Sequence, residues 1–258
     1  MSSNKFDITE SINKNKAFIF INFVIIFITY NIFLNMHFSL DSYAVYFNMD
    51  APNQLRQSRF MNYIFIRLFE LMGINICRNQ VLLTFIFMLM SALSASIITN
   101  IFDKSFNGLS MKKYVAIDFA VLITFVNVFI LEWFLYPEIT LFYGFSLVFS
   151  VLALMVLYRN TGFFNCVISG VCVFISLNFY QASMPLFVVY GLLIVAVNNK
   201  LTINYKSFKE TVSVILVGGV SSIFMLIEQR FAISVGITVG NVINLSNINI
   251  KFISNRML

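Results

Sequence analysis

The sequence predicts an all-α polytopic membrane protein, and three observations carry that prediction. Hydrophobic residues make up 59% of the 258 positions and charged residues 11%, against roughly 25% charged in an ordinary soluble domain. Apolar runs long enough to cross a bilayer, which takes about 20 residues, recur along the chain. The basic residues alternate from loop to loop as membrane insertion requires. This much apolar surface exceeds what one soluble core can hide, so the bilayer is the expected solvent.

Seven runs qualify as spans: 17–35, 81–99, 115–135, 139–157, 163–179, 182–198 and 211–227, the last three near the short limit. The polar segment 1–16 precedes them. No cleavable signal is expected, because 17–35 is too long for a signal's apolar region and lacks a small-residue cleavage site. Lys5, Lys14 and Lys16 precede the first span, and Lys104, Lys112 and Lys113 follow the second. Arg159 follows the fourth, and Lys200, Lys206 and Lys209 follow the sixth. The short loops around Pro137 and Tyr180 hold no Lys or Arg. Cytoplasmic loops collect basic residues, so the N-terminus is expected inside. Outside then lie the loop 36–80, the turns at 137–138 and 178–183, and a tail from 228 to 258. The whole chain, 1–258, reads as a single membrane domain.

Polar residues with chemical potential gather on the outside: Asp41, Asp50, Arg56, Arg59, Arg67, Glu70, Glu138, Tyr180, Gln181, Glu228 and Arg230. Chemistry, if present, is expected there. Asp41 sits six residues past the first span, where a carboxylate suits either activation of a hydroxyl or a helix N-cap. Loops as long as 36–80 are uncommon unless functional. Over 56–72 it has helical periodicity: Arg56, Asn62, Tyr63, Arg67 and Glu70 share one face, and Phe60, Met61, Ile64, Phe65, Leu68 and Leu71 cover the rest. That pattern predicts an amphipathic helix lying in the membrane interface. Its arginines meet headgroups in general, or Arg59 or Arg67 holds one lipid phosphate, which guanidinium groups suit.

Glu138 follows Pro137, a combination that starts helices well. The pair Tyr180-Gln181 interrupts an otherwise apolar stretch, and a turn without Gly is unusual. Asp118 and Glu132 lie within the third span, where ionisable residues normally face a cavity or a partner, but near its ends, from which reaching the interface is the alternative. His37 is the single histidine, which rules out a Ser/His/Asp set with any redundancy and leaves a His37–Asp41 metal pair weakly supported. Asp41 and Asp50 leave a divalent ion open, though two acids nine apart are thin support. The sequence holds no Walker or dinucleotide fingerprint. Cys77, Cys166 and Cys172 have no metal-ligand spacing and read as packing residues. Gly218-Gly219 reads as close helix packing.

Three segments, in order, resemble the bacterial membrane glucosyltransferases that modify O-antigen, the serotype-conversion type. They are His37-Phe38-Ser39-Leu40-Asp41-Ser42-Tyr43 with Arg59 ahead of an apolar helix, then Glu132 through Tyr143 containing Pro137-Glu138, then Ser176 through Ser183 containing Tyr180-Gln181. The resemblance covers about residues 17–200. It implies a GT-C type membrane fold in the bacterial inner membrane, with an active site facing outward. The implied donor is a polyprenyl-phosphate sugar, usually glucose, and the implied acceptor is lipopolysaccharide or another surface glycan. It further implies Asp41 as the catalytic carboxylate, Arg59 near the donor phosphate, and Glu138, Tyr180 and Gln181 lining the sugar or acceptor site. No nucleic acid and no organic cofactor enter this picture.

The chain departs from the family by ending about 30 residues after its seventh span, which raises an inactive, truncated relative as an alternative. A second alternative is a flippase for lipid-linked sugars. That would show repeats, or broken spans with polar residues at mid-membrane; the sequence has no clear repeat, and its polar residues cluster at the outer ends of spans.

Overall fold

The structure is a computed structural model that describes residues 15–35, 37, 59–106, 108–127, 130–131, 134–136, 139–159 and 161–234. These residues are built from helices, with no strand among them. Helix is what hydrocarbon demands, because it satisfies backbone polar groups within its own segment. In chain order the helices are α1 Lys16–Tyr30, α2 Phe60–Leu71, α3 Gln80–Ser105, α4 Met111–Ile123, α5 Thr140–Arg159, α6 Phe163–Phe179, α7 Met184–Asn198 and α8 Tyr205–Ser234. A 3₁₀ turn, Asn31–Leu34, extends α1, and another, Gln181–Ser183, leads into α7. Pro185 lies in the first turn of α7, where its missing N–H costs nothing.

Among the described residues, five stretches are long and apolar enough to cross a membrane: Lys16–Leu34, Gln80–Ser105, Thr140–Arg159, Gln181–Asn198 and Tyr205–Phe231. α6 coincides with the expected run 163–179 but, at 17 residues, is shorter than these. The third expected span, 115–135, does not form as one helix. α4 stops at Ile123, and the next three amides close short turns onto Val121, Leu122 and Ile123. The physical reason lies in Thr124 and Asn127, whose side chains compete for the backbone. The Thr124 hydroxyl donates to the Val121 carbonyl at 2.7 Å, and the Asn127 amide donates to the Thr124 carbonyl at 2.8 Å. The Tyr30 hydroxyl, reaching over from α1, accepts from the Asn127 amide at 3.0 Å and donates to the Asn127 carbonyl at 3.1 Å. Irregular backbone at membrane depth needs such protein partners.

α3 runs through the centre of the bundle, with α1, α4 and α5 against it. α5 and α6 form a hairpin, and α8 packs on α6 and α7. Glycine lets α7 approach α8: a Cβ on Gly191 would meet Val214 Cγ1 at 2.8 Å. Gly218 likewise faces Met184, as the Gly218-Gly219 pair led us to expect, whereas Gly219 has open space beside it.

Of the two readings of Asp118, the structure supports a polar partner over the interface. Asp118 is buried and accepts from Asn22 at 3.1 Å and from Thr99 at 2.8 Å, so one carboxylate joins α1, α3 and α4. Asn22 also donates to Ser96 at 2.9 Å. Within α2, Ile66 and Asn62 are buried while Ile64, Leu68 and Leu71 are exposed. Phe65 packs on Phe145 of α5 and Phe179 of α6, which turns Asn62 inward rather than toward the polar face.

Candidate functional site

The end of the bundle where α1, α6 and α8 finish and α5 begins, all with outward-assigned residues, holds the candidate site. Its centre is Tyr180, which leaves α6 in an extended conformation, φ −159° and ψ 121°. The turn needs no glycine because a buried group of serines holds it. Ser146 and Ser183 donate to the Tyr180 carbonyl at 3.1 and 2.8 Å. Ser176 lies within 2.7 Å of Ser183 and 2.8 Å of Ser150 and donates to the Ser146 carbonyl at 2.7 Å. One side chain thus ties α5, α6 and the 3₁₀ turn together. Replacing Ser176 by Ala is expected to cost about 1–2 kcal/mol, since it leaves buried hydroxyls short of a partner. A thermal melt in detergent checks this, and an unchanged melt would mean the serines repartner freely.

The Tyr180 ring packs on Tyr143 at 4.3 Å between centroids. Its other neighbour is Arg59, which precedes α2 and places its guanidinium carbon 5.6 Å from the Tyr180 centroid. A cation over an aromatic face is attracted by about 0.5–2 kcal/mol, more where water is excluded. The stack leaves the buried Arg59 Nε without a hydrogen-bond partner. Gln181 opens the 3₁₀ turn beside this pair and is half-buried.

Arg67 is placed differently. Its guanidinium pairs with Glu70 on the same helix at 2.5 Å and lies 5.6 Å from the Tyr63 ring. The bond it donates to Glu70 is the main reason its pKa is raised, so it stays charged but already has a counterion. Of the two arginines singled out from sequence, only Arg59 touches Tyr180. Asp41 and Glu138 lie outside the described residues, as do Asp50 and Glu132.

Two residues that sequence reasoning did not assign to the site lie next to Tyr180. Asn178 precedes it by two positions at the end of α6; its amide donates to the Phe174 carbonyl at 3.1 Å and stands close enough to Glu228 of α8 to influence it. The Asn178 Oδ1 and the Glu228 Oε2 are buried without a hydrogen-bond partner. Buried polar atoms are nearly always satisfied, so the open acceptors on Asn178 and Glu228, and the open donor on the Arg59 that stacks on Tyr180, suit a polar ligand. The signal was present in the sequence as an Asn and a Glu at the outer ends of two apolar runs, but nothing there said that those ends meet.

His37 is not a metal ligand in this arrangement. Its Nδ1 lies 2.9 Å from the Asn35 carbonyl and its Nε2 2.8 Å from the Phe134 carbonyl, which ties the end of α1 to the segment after α4. No cluster of three or more metal-ligating side chains occurs among the described residues.

No curated protein and no solved structure gives a significant match to the chain. A family model, Glucosyl transferase GtrII, matches residues 30–257. That range takes in the Arg59–Tyr180 stack, the Asn178–Glu228 pair and all three segments on which the resemblance rested, and the chain belongs to the GtrII glucosyltransferase family.

Proposed function

We propose that the protein transfers glucose from a polyprenyl-phosphate donor to lipopolysaccharide O-antigen or another surface glycan, at the outer face of the bacterial inner membrane. The observation that carries this reading is the Arg59–Tyr180 stack, with Arg59 Nε open and acceptor atoms open on Asn178 and Glu228, in a chain of a glucosyltransferase family. An arginine held by an aromatic ring suits a lipid phosphate, and carboxylate and amide oxygens suit sugar hydroxyls. The fold would be of the GT-C type, with α2 in the membrane interface.

In the reaction, an acceptor hydroxyl attacks the anomeric carbon as the bond from that carbon to the phosphate oxygen breaks, so the configuration inverts. Asp41 takes the hydroxyl proton, and the electron pair of the broken bond leaves with polyprenyl phosphate. The leaving group departs as a phosphate ester and needs its growing charge balanced more than it needs a proton. Arg59 supplies that balance, an effect worth about 10²–10³-fold where one such donor is removed. Glu138, Tyr180 and Gln181 line the sugar or acceptor site.

The two arginines should therefore differ. Arg59→Ala is expected to lower transfer by about 10²–10³-fold. Arg67→Ala removes a charge already paired with Glu70 and is expected to change transfer by less than about tenfold. Initial rates with a labelled polyprenyl-phosphate glucose in isolated membranes measure both, and equal losses would remove Arg59 from its assigned role.

The interrupted third run is the one observation that favours a flippase. Mass spectrometry of surface polysaccharide from expressing and non-expressing cells separates the readings. An added hexose that depends on the chain supports transfer, and lipid-linked glucose crossing the bilayer with no hexose added to glycan would sink it.

A further inference from the structure

At the opposite end of the bundle, the ends of α3, α5 and α7 and the start of α8 enclose a cavity of about 530 Å³. Lys104, Arg159, Lys206 and Lys209 line it, with Glu210 the one acid on its wall. Glu210 is engaged on its own side: it accepts from Asn199 at 2.8 Å and lies 3.8 Å from Lys206. Asp103 stands close enough to influence Tyr158, another lining residue. Counting both acids against four bases, the cavity keeps a surplus of two positive charges.

The helix α8 sharpens this. Its first turn holds no acidic residue, yet Lys206 and Lys209 sit near its start. Cations there oppose the helix dipole, whose N-terminal end already favours an anion. Asn204 and Ser207 cap each other, through Ser207 N to Asn204 Oδ1 at 2.8 Å and Asn204 N to Ser207 Oγ at 2.9 Å. The placement of the lysines is thus not a frayed end but part of a built turn, which Lys200 and Leu201 enter with φ of 52° and 58°.

We propose that this cavity seats the phosphate of an anionic phospholipid. Basic pockets between spans on the cytoplasmic side suit such headgroups, and the distribution of Lys and Arg assigns this end to that side. The place of the four basic residues, at the ends of spans and so at headgroup depth, favours a lipid phosphate over a soluble one. Leu154, Ile194, Val195 and Val214, all buried, floor the cavity between α5, α7 and α8, so it seats the headgroup and leaves the acyl chains in the surrounding bilayer. The site is independent of sugar transfer and stands or falls separately from it.

The test is lipid retention by the full-length protein, measured by native mass spectrometry from detergent with phosphatidylglycerol or phosphatidylcholine added. Phosphatidylglycerol is expected to be retained and phosphatidylcholine not. The double variant Arg159→Gln, Lys209→Gln is expected to bind phosphatidylglycerol about 30-fold more weakly, the effect of two basic residues at a membrane surface. The control double variant Lys112→Gln, Lys113→Gln removes the same charge from the same end outside this cavity and is expected to stay within about twofold of the parent. Equal weakening by both pairs would reduce the cavity to part of a diffuse basic surface and overturn the proposal. Displacement of the lipid by millimolar inorganic phosphate would overturn the lipid assignment in favour of a soluble anion. A melting curve for each variant separates lost binding from lost folding.

Discussion

Asp41→Asn is expected to lower glucose transfer by about 10²–10⁴-fold, the usual contribution of a positioned general base. The amide matches the carboxylate in size and can still hydrogen-bond, but it cannot take the hydroxyl proton as the new glycosidic bond forms. Membrane insertion and abundance should be unchanged, because one polar side chain replaces another of the same size outside the apolar runs. Binding of the polyprenyl-phosphate donor should also persist, since Arg59 and not Asp41 meets the phosphate in the proposed site. The measurement is hexose incorporation into surface glycan at matched protein levels. Transfer by the Asp41→Asn variant equal to the parent's would move the base elsewhere. Glu228 would then be the next candidate, because its Oε2 is open at the candidate site.

Asn22→Leu is expected to destabilise the bundle by about 1.5–3 kcal/mol, the range for a hydrogen bond to a charged group. Asp118 is buried between α1, α3 and α4 with two side-chain donors, Asn22 and Thr99. Thr99 has a second acceptor in the Ala95 carbonyl at 3.1 Å, so it is the less committed of the two. Removing Asn22 leaves the carboxylate with one shared donor in an apolar setting. Removing both partners should cost less than removing one, because a buried polar group is most expensive when only its counterpart is gone. The double variant Asn22→Leu, Asp118→Leu is therefore expected to recover much of the loss. Chemical denaturation in mixed micelles gives the cycle, and strictly additive losses would show that the two side chains do not depend on each other.

Much of this architecture was legible in hydropathy alone. α6 begins and ends where its apolar run does, and α3 and α8 only extend theirs with polar turns. The third run was misjudged because hydropathy averages over a window and does not see backbone competition. Thr124 and Asn127 are two polar residues among many apolar ones, yet with Tyr30 they open the helix. That partnership links positions 97 residues apart, which no local pattern reports. The site divides in the same way. Tyr180 was noticeable because it broke a run, and Arg59 because it headed an amphipathic helix. Their stacking, and the pairing of Asn178 with Glu228, depend on which helix ends become neighbours. The serines that hold the Tyr180 turn are spread over α5, α6 and the 3₁₀ turn, and each looks ordinary where it stands.

The early end of α4 also changes the shape of the barrier around the protein. Thirteen helical residues rise about 20 Å, well short of the roughly 30 Å of hydrocarbon in a bilayer. Beyond them the chain leaves the helix over 124–127, and Tyr30 and His37 hold carbonyls of the segment that follows. Tyr30 meets part of that turn, and the peptide groups it leaves are expected to draw water and headgroups inward and thin the oily layer there. For the transfer we propose, which joins a donor anchored in lipid to an acceptor carried in water, a shallow dent beside the protein would shorten the distance each must travel. Neither partner then has to leave its own medium completely.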